Sequence, residues 1–117
     1  PHQRMDYRIF IFDANSGNLV RELLPFEQIY RDARVMDLFS VSNSDYVMAA
    51  LEGGDVAIWN VKTGRHRGTL HALYPPNQVV FNEEGNMLYS FGWDGIIRYW
   101  EMGAALAKVR SFEKGLD

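Results

Sequence analysis

The stretch Leu88-Tyr-Ser-Phe-Gly-Trp-Asp-Gly-Ile-Ile-Arg-Tyr-Trp100 holds two apolar runs joined by a Trp-Asp-Gly turn, and the second run ends on Trp100. Aromatic and β-branched residues flank a turn in which Asp can bond its own backbone and Gly accepts positive φ, so the stretch reads as a β-hairpin. Its pattern recurs upstream. Setting the aromatic strand ends in register pairs Phe12 with Trp59 and Trp100, at spacings of 59 − 12 = 47 and 100 − 59 = 41 residues. Ile9 then matches Val56 and Ile97, Ile11 matches Ile58 and Tyr99, and the next position holds Asp13, Asn60 and Glu101.

Outward from the hairpin, the same chemistry sets the remaining strands. Tyr7 to Phe12 is aromatic and β-branched, which predicts a strand buried on both faces. The run Asp13 to Asn18 turns the chain, and Leu19 to Leu23 returns as a more polar strand nearer an edge. Leu24 to Ala33 is too long for a tight turn and reads as a crossing to the next sheet. Val35 to Phe39, Tyr46 to Ala50, Asp55 to Trp59 and Arg65 to Leu70 follow as four strands. A second crossing, His71 to Asn77, contains Pro75-Pro76, which cannot donate to a ladder. Gln78 to Phe81 and the opening hairpin then repeat the order. The tail reads two ways. Leu106 to Phe112 fits a fourth strand followed by a loose end, which is the expectation; Met102, Leu106, Val109 and Leu116 also fit one face of a helix, and the Ala-rich run Ala104 to Ala107 favours it.

The period of roughly 40 to 45 residues with four short strands per unit is the signature of a propeller blade. A small twisted sheet that is apolar on both faces cannot bury itself alone, so such units must stack. The residues resemble the WD-repeat β-propeller family. The resemblance is carried by Ser90, Trp93-Asp94-Gly95 and Ile97 to Glu101 in the best copy; by Ile58-Trp59-Asn60, Thr63-Gly64 and Thr69-Leu70 in the middle copy; and by Ile9 to Asp13 with Gly17 in the first. It implies an all-β fold of four-stranded antiparallel blades over 1–117: an outer strand pair at 6–23, a full blade at 35–70, a second blade at 78–111 and a tail at 112–117. It also implies a buried hydrogen-bonded chain through Asp94, Ser90 and Trp100. In the middle copy Gly53 and Ala49 replace the Asp and Ser, so only Trp59 remains of that network, and His71 lies two positions from the expected loop His. Two and a half blades cannot close a ring of four to eight. The expectation is a piece of a longer propeller, since Tyr7 begins within a blade and the chain opens on Pro1 without an initiator Met. The alternative is a self-assembling structural module whose ring is completed by oligomerisation of identical chains or by complementation with other chains.

Composition bounds the function. The 117 residues are 47% apolar and 14% aromatic, ample for a packed core. A net charge of −3 gives no global attraction to nucleic acid or an anionic membrane. Without cysteine there is no disulfide framework, thiolate nucleophile or Cys-ligated zinc, which fits a reducing compartment. No apolar run reaches the roughly 18 residues of a membrane span, and the first residues do not form a signal peptide.

No constellation carries catalysis. Glu83-Glu84 sits in a turn before Gly85 and reads as solvated acids, and His2, His66 and His71 lack metal-ligand spacing. Gly53-Gly54 reads as a tight hairpin, not a phosphate loop. Lys62, Arg65, His66 and Arg67 form the one basic cluster, either a patch for an acidic partner or a solvated edge. Phe91 is expected to pack between blades. Trp93 suits either such packing or an exposed anchor of the kind interfaces favour. The resulting expectation is a non-catalytic protein-protein interaction scaffold, cytoplasmic or nuclear, with no cofactor, metal or small-molecule ligand. Its candidate partner contacts are Trp93, Arg98, Arg65 and Arg67, and its partners are other proteins or the remaining blades.

Overall fold

The computed structural model describes residues 9–23, 34–71 and 78–115. The expected crossing at 24–33 and residues 72–77 of the crossing expected from His71, together with His2, Tyr7 and Leu116, lie outside the described residues. The described residues form nine strands and one helix: β1 (Ile9–Phe12), β2 (Leu19–Leu23), β3 (Val35–Ser40), β4 (Tyr46–Leu51), β5 (Asp55–Asn60), β6 (His66–His71), β7 (Gln78–Phe81), β8 (Met87–Phe91), β9 (Ile97–Glu101) and α1 (Gly103–Lys114). They make three antiparallel sheets in sequence order, β1-β2, β3-β4-β5-β6 and β7-β8-β9.

The turns explain why strands end where they do. Asp13 Oδ1 accepts the N–H groups of Asn15 (2.7 Å) and Ser16 (3.1 Å), and Asn60 Oδ1 accepts those of Lys62 (2.8 Å) and Thr63 (3.2 Å). Each turn then closes through a glycine at positive φ, Gly17 donating to Asp13 O and Gly64 to Asn60 O. A short oxygen-bearing side chain and a residue free of the Cβ penalty are what this loop needs, and the sequence supplies both twice. The 41-residue repeat is equally literal. Val61 N–H donates to Asp45 O and Met102 N–H to Asn86 O, both at 2.7 Å, with 86 − 45 = 102 − 61 = 41.

At the third copy the loop chemistry fails. Glu101 carries one methylene more than Asp or Asn, and the glycine position is taken by Ala105, which resists positive φ. The chain enters α1 instead, so the expected fourth strand over Leu106 to Phe112 is a helix and the third sheet has three strands. Alanine-rich sequence favours that outcome, and Ala105 and Val109 bury one side of the helix.

Packing is layered. One apolar cluster joins Ile9, Ile11 and Leu23 of the first sheet to Val47, Ala49, Leu51, Ala57 and Trp59 of the second. The opposite face of the second sheet, with Tyr46, Met48, Ala50, Val56 and Ile58, meets Val79, Phe81, Leu88 and Trp100 of the third, together with Ala105 and Val109 of α1. Between β3 and β7, the Phe81 N–H donates to Asp37 Oδ2 at 2.8 Å and the Phe39 and Phe81 rings lie 5.8 Å apart. The middle sheet is thus covered on both faces and the outer two on one each. This corrects the reading of β1 as buried on both sides: Ile9 and Ile11 face inward, whereas Phe10 and Phe12 are 47% and 59% exposed. A strand's apolar alternate face is covered only if another layer stands there.

Candidate functional site

The β8–β9 turn repeats the β4–β5 turn. Gly95 N–H donates to Gly92 O (3.2 Å) as Gly54 N–H donates to Leu51 O (3.0 Å), and both glycines have positive φ. In this register Trp93 stands where Glu52 stands, and Ile96 where Asp55 stands, since 93 − 52 = 96 − 55 = 41. The turn therefore forms equally well with polar residues. Trp93 is 89% exposed, so it contributes little to packing within the chain, and Ile96 is 48% exposed.

Below the turn, Asp94 Oδ1 accepts the Ile96 N–H and Oδ2 accepts Arg98 Nη2, each at 3.0 Å. The Arg98 hydrogen bond, followed by the Ile96 N–H, holds the Asp94 carboxyl below its ordinary range. Gly92 accommodates this arrangement, because a Cβ there would come within 2.6 Å of Asp94 Oδ1. The loop position through which the resemblance would join Asp94 to Ser90 lies outside the described residues. Asp94 is exposed and bonds Arg98, Ser90 is buried opposite Arg98 in the ladder, and Trp100 packs in the core, with no hydrogen bond joining Asp94 to either. Arg98 occupies the position that Ala57 holds in the middle sheet and sets its guanidinium against the Asp94 carboxylate.

The basic cluster is divided. Lys62 and Arg65 are exposed in the β5–β6 turn. Arg67 is half-buried, its guanidinium 5.0 Å from the centroid of the Phe112 ring on α1, so it serves the helix seam. His66 packs edge-on to buried Trp59 at 5.5 Å, with Nε2 2.8 Å from Thr69 Oγ1. Burial pushes its pKa down to about 4; Lys108 lowers it further, against a raising hydrogen bond from the Gly68 backbone.

Two features lay beyond the sequence reading. The first is the outer face of the third sheet, where Val80, Tyr89 and Tyr99 align across the strands and Phe91 pairs with Ile97. Phe91, expected between layers, stands on this face and is 36% exposed. The matching of Ile97 and Tyr99 to Val56 and Ile58 is the signal that they share one face. The second is a cavity of about 360 Å³ lined by Arg34, Val35, Met36 and Gln78. Val35 pairs with Leu51 and Gln78 with Phe91, so it lies at the same end as the Trp93 turn. Arg34 Nη2 rests 3.5 Å from Met36 Sδ, a weak acceptor, and leaves a cation at this opening.

Among the described residues no group of His, Asp and Glu side chains is placed to hold a metal ion, and no helix is long and apolar enough to cross a membrane. A scan of family models finds no match to the chain, and a search of curated proteins finds no relative.

Proposed function

We propose that the chain is a segment of a WD-repeat β-propeller and acts as a non-catalytic scaffold for protein-protein recognition. The propeller reading is supported by the recurrence of turn hydrogen bonds at a 41-residue offset and by successive sheets stacked face to face. The two outer faces are where further sheets stack, because a sheet of this kind is stable only when both apolar faces are covered. The absence of cysteine fits an intracellular setting.

The observation that carries the binding role is Trp93. The fold builds the equivalent turn with Glu52, so the turn does not require the indole, which stands 89% exposed beside exposed Ile96 as an aromatic interface anchor would. A partner offering an apolar pocket for Trp93 and Ile96, and a carboxylate for Arg34, fits this end of the molecule. The test is Trp93→Glu, which installs the residue the chain itself uses in the equivalent turn. Melting should be unchanged, and proteins captured from extract by the wild type should be lost. If the same proteins are captured with the same yield, Trp93 is not an anchor and the binding reading of this turn fails.

A further inference from the structure

The two interfaces between sheets obey one rule. In the first, Ile9 and Ile11 pack on the face that carries Ala57 and Trp59. In the second, Val56 and Ile58 pack on the face that carries Leu88 and Trp100. Offsets of 47 and 41 make Ile9/Ile11, Val56/Ile58 and Ile97/Tyr99 equivalent pairs, so each sheet offers its aliphatic pair to the Trp-bearing face of the next. Applied to the ends, the rule identifies what is open. The third sheet presents Ile97 and Tyr99 outward, both 64% exposed, on the face equivalent to that of Val56 and Ile58. The first presents Phe10 and Phe12, equivalent to Ala57 and Trp59, which is its Trp-type face. The surface left bare at one end is of the kind that everywhere else is covered by the surface left bare at the other.

We infer that a second copy of this chain covers the open face of the β7-β8-β9 sheet with its own Phe10 and Phe12 face, head to tail. The contact continues the pattern of the two interfaces already inside the chain and rests on the proposed propeller stacking. The described residues of two copies supply 2 × 3 = 6 sheets, a number within the range of propeller rings. Because each contact joins two different faces, a two-fold rotation forms it twice and leaves neither end open. Tyr89 and Phe91 add aromatic surface beside Ile97 and Tyr99, giving the second copy's phenylalanines a broad apolar bed.

The experiment is sedimentation of the whole chain and of two variants at exposed positions, Phe12→Lys and Ile97→Glu. The wild type should sediment as two copies and each variant as one. An equimolar mixture should regain a two-copy particle, weaker than wild type, because Phe12→Lys keeps its β7-β8-β9 face and Ile97→Glu keeps its Phe12 face. An isologous contact, each face against itself, predicts no such recovery. Matching circular dichroism melts, taken where the wild type is dilute enough to be monomeric, check that both variants fold. A monomeric wild type, a mixture no larger than its parts, or growth beyond two copies overturns the inference. None of these outcomes alters the Trp93→Glu capture result, which tests the scaffold reading by itself.

Discussion

His66 shows how a residue's role depends on what its ring touches. On sequence it belongs with Lys62, Arg65 and Arg67 as a basic cluster; in the fold it is pressed against Trp59 and its pKa falls from 6.5 to about 4. The folded state therefore binds this proton less readily than the unfolded chain. The stability His66 contributes is fully present above pH 6.5 and is lost as pH falls from there toward 4. The loss should be on the order of 1 kcal/mol, reduced from the full shift because the ring is only half-buried. Urea titrations at pH 7 and pH 4.5 should show a smaller stability difference for His66→Gln than for wild type; equal differences would show that other groups carry the acid sensitivity. Neither the burial nor the Trp59 contact is legible in the run Arg65-His66-Arg67, since both depend on the bulge between Ile58 and Trp59 that sets the β5–β6 register.

At the scale of the element, α1 is the main departure from expectation. Local sequence carried both outcomes, because Ala104 to Ala107 favours a helix while the repeat calls for a strand. The loop chemistry at Glu101 and Ala105 decided between them. The helix is then held from outside. Phe112 lies 5.7 Å from the Tyr46 ring and under the Arg67 guanidinium, and Arg110 Nη2 donates to Ser42 O at 3.1 Å. Phe112→Ala removes the two ring contacts at once and should cost about 2 kcal/mol in denaturant unfolding, at the low end for a core aromatic because the side chain is only half-buried. A cost below about 0.5 kcal/mol would mean that α1 is not docked on the middle sheet in solution.

For the whole molecule, the middle sheet differs from its neighbours by coverage and not by sequence type. Ile58 and Tyr99 occupy the same position of the repeat, yet Ile58 is fully buried beneath the third sheet and Tyr99 is open. In a Phe12→Lys background, which leaves the outer face bare, Ile58→Ala should cost about 3 kcal/mol and Tyr99→Ala less than about 1 kcal/mol. Comparable costs for the two would contradict the layered arrangement.

The chain's own residues determined its turns, its strand sequence and the apolar face of each strand. These are local properties: Asp13 and Asn60 capture the next backbone N–H groups, Gly17 and Gly64 take positive φ, and alternation sorts side chains by face. Only the tertiary structure decided which faces are covered, that Asp94 pairs with Arg98, and that Arg67 serves Phe112. Those outcomes depend on which layer lies across a gap of several ångströms. The opening hairpin illustrates the division, since its residues specify two strands and a turn, while its exposed Trp93 and open outer face become visible only once the other sheets are stacked.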